Sequence, residues 1–184
     1  MANESTFPAL YADIPTQNLL TAFIGGPQRL KDSLRGLTEE DLLAHPRAGK
    51  WSIQQIACHL ADAEVMGALR FRMVFADDGS RLPVYDQEEW ERRFGYQELS
   101  AKQRDALLAL FASARDTTAR FLDPASDEDW QRSGYHPEWG PLSLRQLLEL
   151  YSDHSERHIE QILNLRSLLG KPLELPLLLK KRLY

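Results

Sequence analysis

Apolar residues recur at intervals of three and four along four long segments of this chain. Such spacing is typical of amphipathic helices, because residues one turn apart share a helix face. The segments begin near residues 16, 52, 100 and 143, and they end near residues 36, 77, 122 and 170. We find no convincing strand pattern between them. The pattern therefore predicts an all-α fold, a four-helix bundle with long connections.

Boundary signals refine the predicted helices. Ser52 followed by Gln55 has the spacing of a capping box, and Ser143 is a suitable cap for the fourth helix. A Gly-Gly-Pro run at residues 25–27 interrupts the first segment. Glycine and proline both disfavour a helix interior, so the sequence predicts a break or kink at that point.

The connections and the C-terminal tail carry their own expectations. A connection at residues 79–99 is long, and loops of this length are more often functional than idle. A second one ends at Leu142. The tail contains four leucines that fit either a flap on the bundle or a subunit contact: Leu175, Leu177, Leu178 and Leu179. The basic residues 180–182 are expected to form a solvated end.

Composition narrows the setting of the protein. A chain of 184 residues is expected to fold as a single domain, residues 1–184, with its core at about 16–170 and the tail at 171–184. The net charge of −5 argues against nucleic acid as a partner. The single cysteine, Cys58, cannot form an internal disulfide. With no signal peptide and no span for a membrane, the expected location is cytoplasmic.

Histidines provide the candidate chemistry. At about 100° per residue, His154 and His158 lie about 40° apart on the apolar stripe of the fourth helix, so one metal ion could bind both. Zinc-like ions need at least three protein ligands. His59 lies on the shoulder of the second helix, where a bundle could bring it opposite the pair. The alternative is that the imidazoles only pack within the bundle or lie on its surface.

Five stretches of the chain, in order, resemble the DinB superfamily and more closely its YfiT-like branch: residues 51–64, 70–72, 83–90, 136–140 and 151–162. The resemblance implies a four-helix bundle, often a homodimer, with one divalent metal held by His59, His154 and His158. It also implies metal-dependent transfer of a low-molecular-weight thiol, such as bacillithiol or mycothiol, to electrophiles. Many members are known only as presumed metal-dependent hydrolases. Cys58 departs from relatives that often carry histidine there.

Three neutral nitrogens would leave coordination positions open, as in a catalytic site, and imidazole ligands suit zinc or nickel equally. The ion could activate a thiol for transfer, or water for hydrolysis of an amide or ester. The resemblance favours thiol transfer to a small-molecule substrate. The rival hypothesis is a non-enzymatic, stress-linked metal-binding or dimerisation module.

Other side chains are weaker candidates for roles at this site. Asp62, Glu64 and His136 are possible general bases. Carboxylates that could accept a hydrogen bond from a ligand imidazole are Asp62, Asp153 and Glu156. The long connection could close the pocket through Tyr85, Asp86 and Trp90, and Arg72 could hold an anionic substrate group. For each of these side chains, packing or surface pairing is the competing interpretation.

Overall fold

A computed structural model of the chain describes residues 5–8 and 11–179. Its helices and strands follow in chain order: α1 Thr16–Leu34, α2 Glu39–Leu43, α3 Ile53–Ala76, β1 Ser80–Arg81, α4 Gln87–Phe94, α5 Ala101–Leu122, α6 Asp127–Gln131, β2 Ser133–His136, β3 Gly140–Ser143 and α7 Leu144–Leu168. A short 3-10 turn, Tyr96–Glu98, precedes α5. Within the described residues, no helix is both long enough and apolar enough to cross a membrane.

The predicted four-helix bundle is confirmed. Its members are α1, α3, α5 and α7, and the main contacts pair α3 with α5 and α7, and α1 with α7 and α5. Two buried apolar clusters form the core. Along α7, the first cluster includes Leu144 and Tyr151, and the second includes Ile162 and Leu165. The stretch that carries His154 and His158 therefore lies between two packed regions, which hold both ends of this part of the helix.

Hydrogen-bonded caps fix where the bundle helices begin. Ser52 accepts from the backbone of Gln55, whose side chain accepts in return from the backbone of Ser52, and the same capping box joins Ser143 to Gln146. Each such cap stabilises a helix by about 1 kcal/mol. Since a fixed start determines which residues face inward, these two caps contribute to aiming the histidines of α3 and α7 at one another.

The predicted break in the first helix is wrong, because α1 continues through Pro27 to Leu34. Proline has no N–H, so the carbonyl of Phe23 loses its usual partner four residues later. Arg115, on α5, supplies the missing donor, with Nη1 2.7 Å from the Phe23 oxygen. Gly26 gives the guanidinium room, since a Cβ there would lie 2.1 Å from Nη1. Buried Arg115 thus replaces the lost helical hydrogen bond.

A small sheet between α3 and α7 is absent from the sequence prediction. β1 pairs in parallel with β2, and β2 pairs antiparallel with β3, with Tyr135 opposite Pro141. Strands of two and four residues are too short to show a clear alternation, and Pro141 argues against a strand. The sheet ties the end of α3 to the start of α7 and places His136 on β2.

The described part of the tail lies against the bundle. Leu179 is buried in the first apolar cluster, the Leu178 N–H donates to Glu156, and Arg29 donates to the Pro176 carbonyl. These contacts are those expected of a flap on the bundle. The basic residues 180–182 lie outside the described residues.

Candidate metal centre

The three histidines from two helices meet at one point. His59 comes from α3, while His154 and His158 come from successive turns of α7. The Nε2 atom of His154 lies 3.2 Å from that of His59 and 3.1 Å from that of His158. His59 is buried, and the two histidines of α7 are half-buried. One ring nitrogen from each residue lies within 4.8 Å of the others, a spacing that could hold one metal ion.

The chemistry of this donor set fits a divalent cation. A neutral imidazole Nε2 carries either one proton or one lone pair, so the nitrogen of His154 can hydrogen-bond to only one of its two neighbours. Two nitrogens bound at 2.0–2.1 Å to one tetrahedral ion would stand about 3.3 Å apart. The separations here are close to that value. Three imidazoles would also leave positions open for exchangeable ligands.

Electrostatics keep the three rings neutral, as metal binding requires. Burial lowers the pKa of His59 to about 3 and that of His158 to about 4, and it lowers the pKa of His154 well below its usual value. The neighbouring imidazoles add to the effect on His59 and His154, because a second positive charge nearby is unfavourable. The rings therefore present lone pairs at neutral pH.

The hydrogen-bond partner of His158 is an amide that was not among the predicted site residues. Gln161 Oε1 lies 2.9 Å from His158 Nδ1. Because this oxygen can only accept, it holds the proton on Nδ1 and leaves the lone pair on Nε2. The signal was present in the sequence, since Gln161 lies one helical turn after His158.

The carboxylates expected to support the histidines bind other side chains. Asp62 accepts from the Tyr96 hydroxyl at 2.5 Å, and Asp153 accepts from the Tyr11 hydroxyl at 2.6 Å. Glu156 pairs with Arg29 at 2.5 Å. These bonds join the 3-10 turn to α3, and they join Tyr11 and α1 to α7.

Two pockets flank the histidines. The larger, of about 550 Å³, is lined by His154 and His158 together with Trp51, Arg47, Lys50 and Arg157. The smaller, of about 250 Å³, is lined by His154, Tyr151, Tyr85, Arg70, His136 and Trp139. His154 and Gln87 line both pockets. The centre is thus reached from two sides whose chemistry differs, since the larger pocket has three cationic side chains.

Of four remaining candidates, two line the smaller pocket and two pair with α5. His136 and Tyr85 line the smaller pocket. Glu64 is fully buried and pairs with Arg115 at 2.9 Å. Arg72 donates to Thr117 and Thr118 on α5 and does not line either pocket.

The other two candidates of the long connection shape its local structure. Asp86 caps α4 by accepting from the backbone of Glu88 and Glu89, and Trp90 packs on Tyr85 at 4.4 Å between ring centroids. Trp90 therefore supports a residue that lines the smaller pocket. Cys58 is buried, and burial raises its pKa to about 12, so it remains a protonated thiol.

A family model and individual relatives both match most of this chain. A family model, the DinB superfamily, matches residues 22–162. The Bacillus subtilis protein named "Putative metal-dependent hydrolase YfiT" is 26% identical over 145 residues, which cover 78% of this chain and 80% of the relative. A protein of Oceanobacillus iheyensis with the same description is 28% identical over 142 residues, covering 76% and 78%.

Two solved structures share the fold. That of YfiT from Bacillus subtilis matches with a TM-score of 0.77 at 24% identity, covering 84% of this chain and 87% of that one. The mycothiol-dependent maleylpyruvate isomerase matches with a TM-score of 0.66 at 15% identity, covering 84% and 63%.

Proposed function

This chain belongs to the DinB superfamily, and from that premise we propose that it is a metal-dependent enzyme in which His59, His154 and His158 hold one divalent ion, zinc or nickel. The support from the structure is the convergence of three neutral Nε2 atoms. The relatives named above are described as metal-dependent, which agrees with this assignment.

The proposed reaction is transfer of a low-molecular-weight thiol to an electrophilic small molecule. One observation carries this choice: pockets lie on both sides of the centre and share His154. A transferase must bring two organic substrates to the same atom, whereas a hydrolase needs a pocket for one substrate and access for water. One protein with the same fold is the mycothiol-dependent maleylpyruvate isomerase.

The larger pocket is the proposed thiol site. Arg47, Lys50 and Arg157 give it a positive wall, opposed by Glu88 alone among its lining carboxylates. Such a wall favours a thiol that carries a carboxylate or another anionic group, because each charge pair adds a modest attraction. A divalent ion bound beside it would lower the pKa of the thiol, so that thiolate is present at neutral pH.

Hydrolysis is the second candidate, and the names of the relatives favour it. The same three ligands would serve, with water in place of the thiol. The two reactions are separated by their products. Transfer consumes one thiol for each electrophile and forms a thioether, whereas hydrolysis needs no thiol and releases a carboxylic acid.

The first test is metal content, measured by elemental mass spectrometry. We expect about one equivalent of zinc or nickel in the wild type and almost none in a His154→Ala/His158→Ala variant. His45→Ala is the control, because His45 lies in an exposed loop outside the histidine cluster. Metal-loaded protein is then assayed for thiol consumption with electrophiles and for ester and amide hydrolysis. Equal metal content in the wild type and the double variant would refute the proposed site.

A further inference from the structure

Tyr151 lines the smaller pocket, and its hydroxyl is the one polar atom of its side chain. This oxygen accepts a hydrogen bond from Arg70 Nη1 at 3.0 Å, and no acceptor among the described residues takes its own proton. Burial raises the pKa of Tyr151, so the proton is retained at neutral pH. A Cβ at Gly67 would lie 2.5 Å from the tyrosine ring, so the glycine makes the space in which this ring fits.

His136 presents a second neutral donor. Its Nδ1 accepts the N–H of Glu138 at 3.2 Å, so the proton of the neutral ring lies on Nε2. No described residue accepts that N–H. The ring is stacked on Trp139, with centroids 4.4 Å apart, which fixes its plane. Burial and the nearby Arg70 lower the pKa of His136, so the ring is neutral at pH 7.

The other residues that line this pocket favour an uncharged ligand. Arg70 is engaged by the protein, since Nε and Nη2 donate to the Pro83 carbonyl at 3.0 Å and 2.6 Å and Nη1 donates to Tyr151. Glu138 also lines the pocket and disfavours an anion. Apolar walls come from Ala63, Val84 and Leu150. Two neutral donors within apolar walls match an oxygen that is uncharged when it binds and becomes negative during the reaction.

We propose that the smaller pocket binds an α,β-unsaturated carbonyl compound, whose oxygen accepts hydrogen bonds from Tyr151 and His136. This inference rests on the proposed thiol transfer, because it assigns the class of the second substrate and two catalytic residues. His154 lines both pockets and therefore lies between the two substrates.

The proposed step is a conjugate addition. The thiolate sulfur forms a bond to the β carbon, the carbon–carbon π bond breaks, and its electron pair moves to the carbonyl oxygen as an enolate. Tyr151 and His136 stabilise that negative charge without losing their protons. The α carbon then takes a proton from solvent, which replaces the one released when the thiol became a thiolate. The net change is addition of S–H across the double bond, with no other reactant.

Kinetics with two electrophiles test the role of Tyr151. The metal-loaded enzyme and its Tyr151→Phe variant are assayed with 2-cyclohexen-1-one, which develops an oxyanion, and with benzyl chloride, which does not. We expect kcat/KM for cyclohexenone to fall about 100-fold, a loss typical of an oxyanion donor, and the value for benzyl chloride to be unchanged. Equal losses with both electrophiles, or no loss, would overturn the assignment.

Tyr135→Phe is the matched control. It removes a hydroxyl from the residue before His136, but Tyr135 is 42% exposed and lines neither pocket. Both rates should be unchanged. Thermal melting of each variant shows whether loss of the Arg70 contact has unfolded the protein rather than removed a donor.

Infrared spectroscopy gives a readout that needs no turnover. The carbonyl stretch of carbonyl-labelled [13C]cyclohexanone should move to lower frequency on binding to the wild type, and less in Tyr151→Phe or His136→Phe. If the shift appears while no thiol is transferred to any electrophile, the pocket assignment holds and the proposed function fails. If thiol transfer occurs but the carbonyl shift is absent, or is equal in all variants, the pocket assignment fails and the proposed function stands.

Discussion

At the scale of single residues, the neutral state of the three imidazoles makes stability depend on pH. In the metal-free protein their pKa values lie below the usual 6.5, at about 3 for His59 and about 4 for His158. As pH falls through 6.5, the unfolded chain binds protons that the folded protein does not. The free energy of unfolding therefore falls between pH 6.5 and 4, by up to about 1.4 kcal/mol per pH unit for each histidine.

Urea unfolding of the metal-free protein at several pH values measures this dependence. Other titrating groups contribute, so the comparison is with His158→Asn, which removes one imidazole and leaves the rest. We expect a shallower decline in the variant below pH 6.5 and parallel behaviour above it. Identical slopes would mean that His158 is protonated in the folded protein.

At the scale of helices, α1 depends on a side chain from α5 for its continuity. Arg115 is fully buried and binds the Phe23 carbonyl, the Tyr151 carbonyl, Ser155 and Glu64. Its guanidinium also lies 4.3 Å from the centre of the Phe23 ring. One cation thus connects α1, α3 and α7 to α5, beside the turn of α7 that carries His154.

We predict that Gly26→Ala destabilises the protein by about 3 kcal/mol, because the added methyl collides with Arg115 and disrupts its buried pair with Glu64. Chemical denaturation measures the change. Gly25→Ala is the matched control one position earlier, where a Cβ has nothing within 4 Å. Alanine favours a helix over glycine, so this variant should be unchanged or up to about 1 kcal/mol more stable. Similar losses in both variants would refute the role of Arg115.

At the scale of the whole molecule, an acidic protein presents a cationic pocket. The chain has a net charge of −5, yet Arg47, Lys50 and Arg157 meet at the larger pocket. The net negative charge disfavours attraction of anions to the protein as a whole, whereas the pocket favours it locally. An anionic thiol would gain from the local charge although the protein as a whole repels it.

Arg47→Gln should accordingly raise KM for a thiol that bears a carboxylate about fivefold, the effect of about 1 kcal/mol expected for an exposed charge pair. Steady-state kinetics with an acidic thiol and with an uncharged thiol provide the measurement. Arg47→Lys keeps the charge and should retain KM near the wild-type value. An equal change for the uncharged thiol would show that Arg47 acts through loop structure instead.

The elements that could be predicted from the sequence are those with a repeated apolar pattern. The helices of the bundle repeat their apolar positions over many turns, and Ser52 and Ser143 mark two helix starts, so this part of the fold was predictable. The meeting of the three histidines followed from the angular positions of His154 and His158 and from the family resemblance. The sheet around His136 was not predicted, because its strands are too short to show an alternation of apolar and polar residues.

Contacts between side chains that are far apart in the chain could not be predicted from the sequence, for a different reason. Nothing in the local pattern indicates that Arg115 serves the carbonyl freed by Pro27, because 88 positions separate them in the chain. Glu64 looked like a possible base for the same reason, since its partner is on another helix. The sequence shows which residues lie on a helix, but the partner of a buried charge depends on how the helices pack.

The contact of Arg115 with the carbonyl freed by Pro27 also restricts which substitutions can be tolerated in evolution. Loss of Arg115 would leave the Glu64 carboxylate and the Phe23 carbonyl, which Pro27 cannot pair, without a donor, and a larger residue at Gly26 would collide with the guanidinium. These four positions should therefore be inherited as a set. Homologues that have a larger residue at position 26 should lack the arginine and carry a residue with an N–H at position 27.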